Sequence, residues 1–183
     1  KKFGYKNIME VPKLDKIVRT GKADYPLPDE WKMTVEQKGT DQKIVLYNLS
    51  IYGALNAKAD NGEIYLKKIR SALAFFKNQK DVILWLRPHP LLAQTLRAMR
   101  PRLSAEYEEI LREYRSEGWG IYDDTSDINR AVAWADICDG DSSSVELLFE
   151  FLGKPVLLQN TSNAWNEPEK QGSAEGWRKA MET

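Results

Sequence analysis

The stretch Val82-Ile83-Leu84-Trp85-Leu86-Arg87-Pro88-His89-Pro90 is an apolar run that stops at a histidine between two prolines. A short apolar run that ends at a turn is typical of a buried strand in a parallel sheet. A second strand end follows about fifty residues later, where Asp139–Ser144 places three hydroxyls at the start of an apolar helix. Ligands of open parallel sheets bind beyond the carboxyl ends of the strands, and helix starts attract phosphate. The two segments therefore predict a cradle for a phosphorylated ligand, in particular a nucleotide.

Strand and helix patterns alternate along the chain. Apolar runs predict five strands, at Ile44–Leu49, Val82–Leu86, Gly120–Tyr122, Ile137–Cys138 and Val156–Gln159. Apolar residues at helical spacing predict helices at Ile64–Lys77, Ser104–Glu117, Asp127–Ala135 and Ser144–Leu152. This alternation predicts an α/β, Rossmann-like domain of three layers with about five parallel strands.

The flanks of this pattern differ from it in composition. Pro26, Pro28 and the polar stretch 36–42 separate an N-terminal arm, residues 1–40, from the α/β domain at residues 41–159. A polar tail, residues 160–183, is expected to end in a short helix at Ala174–Met181. Because the chain starts at Lys1 without an initiator methionine, we interpret it as part of a longer protein.

Residues 1–22 carry seven basic side chains against two acidic ones. Such an arm suits either an anionic surface or a solvated linker between domains. We favour the linker, because the segment shows no amphipathic stripe.

Composition excludes several classes of function. The 183 residues suffice for a sizeable core, and their 27 basic and 27 acidic side chains give no bulk attraction to nucleic acid. A single cysteine, Cys138 in an apolar run, fits a reducing cytosol. No run is long enough to span a bilayer and no signal peptide opens the chain, so we expect a cytoplasmic location. There is no glycine-rich phosphate loop and no metal-ligand spacing around Asp123 and Asp124, so we expect neither cofactor nor metal.

His89 is the only histidine of the chain. Pro88 and Pro90 hold its backbone in a stiff turn, which suits a group that binds phosphate or passes a proton. The alternative is a histidine that packs against a loop. The adjacent Arg87 has two candidate partners, a phosphate or a surface carboxylate.

Ser143 and Ser144 open the helix after the fourth strand. Ser143 with Glu146 three residues later forms a capping box, which explains both residues structurally. The functional interpretation adds phosphate binding by the two hydroxyls and by the N–H groups of the first turn. A Glu146 turned back onto the cap would repel an anion, whereas a Glu146 turned outward would suit a ribose. Asp141 is a further candidate for nucleotide contact.

Several motifs in one order carry a resemblance to a known family. They are Arg87–Pro90, Ile121–Asp124 with Asp127-Ile128, Ala135–Ile137, Asp141–Val145 and Leu152–Val156. This order is similar to the C-terminal half of the CDP-glycerol glycerophosphotransferases, with their R/K-x-H-P turn, D-Y-S-S-V helix start and L-G-K-P helix stop. The segment Val11–Lys16 resembles the G-x-P-K-x-D segment of the same family. These enzymes are teichoic-acid and capsule polymerases with a two-domain GT-B fold.

The resemblance implies roles for the site residues. His89 would contact the donor diphosphate and stabilise the CMP leaving group, while Arg87, Ser143 and Ser144 would bind donor phosphate. The chain departs from the pattern at Ser142, where the family has tyrosine, at Leu148, where it often has aspartate, and at Asn48–Ile51, where it has a threonine-aromatic-arginine turn. These departures concern the glycerol part of the substrate more than the nucleotide part.

We therefore expect the C-terminal, donor-binding half of a GT-B transferase, which moves glycerol-phosphate or a related unit from a CDP-activated donor to a hydroxyl acceptor. The acceptor would be a polymer or a lipid-linked hydroxyl, and its base would lie in an upstream acceptor domain. Any membrane association would be peripheral and would involve that missing half. One alternative is a glycosyltransferase or epimerase half that uses a UDP-sugar, and another is a non-catalytic nucleotide-binding module.

Overall fold

The computed structural model describes residues 12–39, 41–55, 62–141 and 143–158. Its strands are β1 (Lys43–Leu49), β2 (Val82–Pro88), β3 (Ile121–Tyr122), β4 (Ile137–Gly140) and β5 (Val156–Leu158). Its helices are α1 (Pro12–Thr20), α2 (Asp29–Lys38), α3 (Ile51–Leu55), α4 (Gly62–Lys77), α5 (Leu92–Met99), α6 (Pro101–Glu117), α7 (Ile128–Trp134) and α8 (Ser144–Phe151), with a 3-10 turn at Gly21–Asp24. All strand pairs are parallel, in the order β3-β2-β1-β4-β5. The predicted α/β, Rossmann-like fold with five parallel strands is confirmed.

The central strands are buried on both faces, which explains why they are nearly unbroken apolar runs in the sequence. Successive residues of β1 point to opposite cores. Val45 and Tyr47 pack in one core with residues of α3, α4, α5 and α6. Ile44 and Leu46 pack in the other core with residues of α1, α2, α7 and α8. The domain thus has three layers, with the sheet in the middle.

The N-terminal arm differs from the expected solvated linker over its described part. Ile17 of α1, Leu27 and Trp31 of α2 are buried against the sheet. The Trp31 ring meets the Trp85 ring edge-on, with centroids 5.0 Å apart. We expected no amphipathic stripe here, but α1 is strongly amphipathic over its nine residues. The α2 helix is not, and it covers part of one sheet face with single large residues such as Trp31. Where the arm gives way to the domain stays a prediction.

Lys154 follows α8 at the helix stop Gly153-Lys154-Pro155 and binds the end of α7. Its Nζ donates to the carbonyl oxygens of Val132 and Ala135, both at 2.7 Å. These carbonyls belong to the last turn of α7 and the residue after it, which lack partners within the helix. Lys154 therefore fastens α7 to the segment that leads into β5.

The order of the strands defines where a ligand crevice lies. From β1, the strands β2 and β3 follow on one side of the sheet, whereas β4 and β5 lie on the other side of β1. Ligands of such sheets bind outside the carboxyl ends of the strands at this reversal. The register pairs Asn48 with Gly140 and Leu49 with Pro88, so the ends of β1, β2 and β4 lie side by side.

The tail, with its expected helix at Ala174–Met181, lies outside the described residues, as does Gln159. Among the helices that the structure does describe, none combines the length and the apolar character needed to cross a membrane.

Candidate functional site

The reversal between β1 and β4 is built on a close approach of two backbones. Gly140 has a φ of 146°, and a Cβ at this position would lie 2.1 Å from the carbonyl oxygen of Asn48. The next residue, Asp141, donates its N–H to that same oxygen at 3.1 Å. Only glycine tolerates both the backbone conformation and the contact, so the chain leaves β4 directly across the end of β1.

The Asp141 carboxylate faces the interior. Its oxygens accept hydrogen bonds from Ser50 N at 2.9 Å and Tyr65 Oη at 3.3 Å, and Lys68 Nζ lies 2.7 Å away. The Lys68 and Asp141 side chains are only 7% and 2% exposed. We expected Asp141 to be a candidate for nucleotide contact, but the structure commits its carboxylate to joining β1, α4 and the turn after β4.

The surroundings of this ion pair are closely packed. Gly53 donates its N–H to Ser50 Oγ at 3.0 Å, and a Cβ on Gly53 would lie 2.3 Å from Asp141 Oδ2. Burial raises the pKa of Tyr65 well above its usual value, and the Asp141 charge raises it further, so the phenol stays protonated and donates. We call Ser50, Gly53, Tyr65, Lys68 and Asp141 the switch-point cluster.

Beyond this cluster the chain turns into α8 through the predicted capping box. Ser143 Oγ accepts from Val145 N at 3.2 Å, and Glu146 Oε2 accepts from Ser143 N at 3.1 Å. The capping box is therefore confirmed, with Glu146 turned back onto the cap. Ser143 is half-buried, and Ser144 is exposed on the first turn of α8. We call Ser143 and Ser144 the serine turn.

Ser143 Oγ has a second partner across the crevice. Asn48 Nδ2, at the end of β1, donates to it at 3.0 Å. Asn48 is buried, and it lies on the sheet face that α8 covers. Sequence reasoning noted Asn48 only as a departure from a family pattern. The signal that was available is a buried amide at the end of an otherwise apolar strand, although its partner follows only from the topology.

His89 directly follows β2 and is exposed. Its N–H donates to Leu49 O at 2.8 Å, and its carbonyl accepts from Leu92 N at 2.8 Å, which holds the turn against β1 and α5. Ring atom Nδ1 accepts from Leu91 N at 3.1 Å, so Nε2 carries the ring hydrogen and is the free donor. Since β1 lies between β2 and β4, about two strand spacings, roughly 10 Å, separate His89 from the serine turn.

We expected Arg87 to bind phosphate, but its side chain is buried below the strand ends. It alternates onto the same buried face as Trp85, and its Nε lies 3.3 Å from Asp123 Oδ2. Its Nη2 donates to Thr125 O at 2.6 Å, and Trp85 Nε1 donates to the same Asp123 carboxylate at 3.0 Å. Of the two partners that we considered, the structure therefore selects a carboxylate, one that is buried. Arg87 joins the ends of β2 and β3 below the crevice.

A parallel five-stranded sheet with this strand order defines the class of the molecule: a Rossmann-like α/β domain whose strand order reverses between β1 and β4, which is where ligands of such sheets bind. Its sequence matches no family model and no curated protein.

Among solved structures the chain is similar in fold to part of the wall teichoic acid polymerase TagF. A histidine-to-alanine variant of TagF superposes with a TM-score of 0.50 at 15% identity, over 93% of this chain and 40% of that chain. A histidine-to-asparagine variant gives 0.48 at 15% identity, over 93% and 40%. The latter variant soaked with CDPG for 30 minutes gives 0.45 at 16% identity, over 93% and 39%. The chain thus spans about 40% of the TagF chains, and the expected resemblance is confirmed at the level of the fold.

Proposed function

We propose that this chain is the donor-binding, C-terminal half of a GT-B transferase of the CDP-glycerol glycerophosphotransferase family. The whole enzyme moves glycerol-phosphate, or a related polyol-phosphate, from a CDP-activated donor to a hydroxyl acceptor in cell-surface polymer synthesis. One observation carries the proposal: hydrogen-bond donors of His89, Ser143 and Ser144 follow the carboxyl ends of β2 and β4, the two strands that lie on either side of β1. The similarity in fold to a wall teichoic acid polymerase supports it.

The donor diphosphate binds across the end of β1, between His89 and the serine turn. The hydroxyls of Ser143 and Ser144 donate to one phosphate, assisted by the N–H groups of the first turn of α8. His89 Nε2 donates to the other phosphate. Arg87 and Asp141 take no direct part, because both side chains are buried and paired. Glu146 holds the Ser143 N–H, so the phosphate approaches from the hydroxyl side of the cap.

In the reaction, the acceptor hydroxyl oxygen bonds to the donor's β-phosphorus. The bond from that phosphorus to the bridging oxygen breaks, and CMP departs with the electron pair. His89 stabilises the charge that develops on CMP, which is the electrostatic contribution expected in phosphoryl transfer. The proton of the acceptor passes to a base in the upstream acceptor domain, and the acceptor is a polymer or a lipid-linked hydroxyl. In the longer protein this domain works at the cytoplasmic face of the membrane.

Isothermal titration of the 183-residue chain with CDP-glycerol, CDP and UDP-glucose tests this proposal. We expect the two cytidine nucleotides to bind and UDP-glucose to bind more weakly. His89→Ala should weaken CDP-glycerol binding about tenfold or more, because a hydrogen bond to a charged group is worth about 1.5–3 kcal/mol. His89→Gln, which keeps an N–H donor, should weaken it less.

Asn78→Ala, which changes an exposed residue at the opposite edge of the sheet, is the matched control and should bind as wild type does. Preferential binding of UDP-glucose would favour a sugar-nucleotide enzyme instead. Absence of binding to all three nucleotides would overturn the proposal. With a polyol-phosphate acceptor added, this chain alone should release no CMP above background.

A further inference from the structure

The Ser143 hydroxyl has an unusual hydrogen-bond balance. Its oxygen accepts from Val145 N at 3.2 Å and from Asn48 Nδ2 at 3.0 Å. A serine oxygen can accept two hydrogen bonds and donate one. With both acceptor positions used, the hydroxyl hydrogen must point away from both nitrogens. In the described part of the chain, Ser143 Oγ donates to no acceptor.

Asn48 is buried, and its backbone is tightly held where its side-chain amide makes this contact. Asn48 is 5% exposed, and its own carbonyl accepts from Asp141 N at 3.1 Å. Gly140 lies against that carbonyl closely enough that a Cβ would meet it at 2.1 Å. The Asn48 backbone is therefore fixed by the pairing of β1 with β4, and its buried side chain has little space to move before any ligand arrives.

Glu146 makes the direction of this hydrogen important. Its Oε2 lies 3.1 Å from Ser143 N, so a carboxylate acceptor is part of the same cap. That carboxylate would compete for a hydroxyl hydrogen that was not held outward. It also repels an incoming phosphate, so the approach depends on donors that already point at the ligand.

We propose that Asn48 is a positioning residue that turns the Ser143 hydroxyl into a fixed hydrogen-bond donor toward the phosphate of the bound nucleotide. This inference rests on the proposed function. Asn48 does not touch the ligand; it acts through Ser143.

A double-mutant cycle on CDP-glycerol affinity tests this role. Ser143→Ala should weaken binding about tenfold to a hundredfold, as expected for a lost hydrogen bond to a charged group. Asn48→Leu should weaken it about three- to tenfold in the wild-type background and should have no effect in the Ser143→Ala background. A merely structural asparagine would lower affinity by the same factor in both backgrounds, and that result would overturn the proposal.

Asn48→Asp sharpens the test, because aspartate has nearly the same shape but accepts a hydrogen bond where asparagine donates one. It should capture the Ser143 hydrogen and weaken binding at least as much as Ser143→Ala. The same change in the Ser143→Ala background measures the effect of the added charge alone. Asn78→Leu is the control for the substitution itself and should leave affinity unchanged.

The outcomes separate this role from the proposed function. Wild-type binding that Asn48→Leu and Asn48→Asp leave unchanged would overturn the positioning role alone. Failure of the wild-type chain to bind CDP-glycerol would overturn the proposed function and this role with it. Urea unfolding of each variant identifies the fraction folded, so that affinities are compared for folded protein only.

Discussion

Two buried ion pairs lie below the carboxyl edge of the sheet, whereas the candidate ligand-binding groups above it are two hydroxyls and one imidazole. Lys68 and Asp141 pair at 2.7 Å under the ends of β1 and β4, and Arg87 and Asp123 lie 3.3 Å apart under the ends of β2 and β3. All four side chains are 7% exposed or less. Above them, Ser144 and His89 face solvent and Ser143 is half-buried.

This difference indicates a division of roles at one edge. The buried pairs hold the strand ends in register, because a charge removed from water must keep its partner. The exposed groups are donors that can meet an anion without first breaking an internal ion pair. Substitutions in the buried set should therefore change stability, and substitutions in the exposed set should change ligand affinity.

The largest effect is expected from Lys68→Met. This change leaves the Asp141 carboxylate buried without its cation, and the expected loss is about 3–5 kcal/mol in the free energy of unfolding. Urea unfolding measures it. Lys77→Met is a matched control, because Lys77 pairs with Glu117 at the same 2.7 Å but both side chains are more than 40% exposed. The control should lose less than about 1 kcal/mol.

The double variant Lys68→Met with Asp141→Leu should recover most of this loss, because it removes both buried charges together. If Lys68→Met costs no more than Lys77→Met, the buried and exposed groups do not differ in the way described above.

Much of the architecture could be predicted from the sequence, because strands buried on both faces are distinct apolar runs. Strand and helix patterns then predicted the parallel sheet. The helices α1 and α2 were missed for different reasons. The α1 helix is amphipathic but only nine residues long, whereas the contribution of α2 depends on single large residues such as Trp31. Their place in the third layer is decided by the sheet face that they cover, which only the three-dimensional structure shows.

The site was predictable where a residue's position along the strand decides its surroundings. His89 lies beyond a strand end, and the Ser143 capping box is local in sequence. Arg87 was misplaced because the direction of a strand side chain depends on which face the neighbouring helices cover. Lys68 had a usable signal, a lysine on the apolar face of a helix that also carries Tyr65 and Ile69. Its partner could not be identified without the topology.

A smaller effect is expected from Gly140→Ala. Gly140 lies at the end of β4, between the buried ion pair of Asp141 and the end of β1. The φ of Gly140 is 146°, and a Cβ added there would lie 2.1 Å from the Asn48 carbonyl oxygen, so both features disfavour a side chain. Backbone strain of this kind costs about 1–3 kcal/mol. Gly118→Ala is the control, because Gly118 also has a positive φ, of 64°, but open space around it.

Thermal or urea unfolding should show a larger loss for Gly140→Ala than for Gly118→Ala. Only the former should also weaken CDP-glycerol binding, because it moves Asn48 relative to the serine turn. If both variants lost the same stability and Gly140→Ala kept its affinity, the close approach at Gly140 would have no role in the candidate site.

Within the serine turn, Ser143→Ala should lower the free energy of unfolding by about 1 kcal/mol more than Ser144→Ala does. Ser143→Ala removes the N-cap of α8, and loss of such a cap typically costs about 1 kcal/mol. Ser144→Ala changes an exposed side chain on the first turn and should leave the free energy of unfolding nearly unchanged. Both changes should weaken CDP-glycerol binding. A Ser144→Ala variant that loses stability but keeps its affinity would assign Ser144 to the structural set instead.

A pH dependence is expected from Lys154, a half-buried cation whose partners include carbonyl oxygens at the end of α7. Burial lowers its pKa from 10.5 to about 8, the nearby Asp136 opposes this shift, and Lys22 adds to it. The unfolded chain therefore binds more protons at this residue than the folded chain between pH 8 and 10.5.

Stability rises with pH wherever the unfolded state binds more protons. Relative to Lys154→Met, the wild-type chain should thus gain stability across this window and show a constant difference below it. Urea unfolding of both proteins from pH 7 to 10.5 measures the difference, and a flat or falling difference above pH 8 would show that Lys154 keeps its proton as firmly as a lysine paired with a carboxylate.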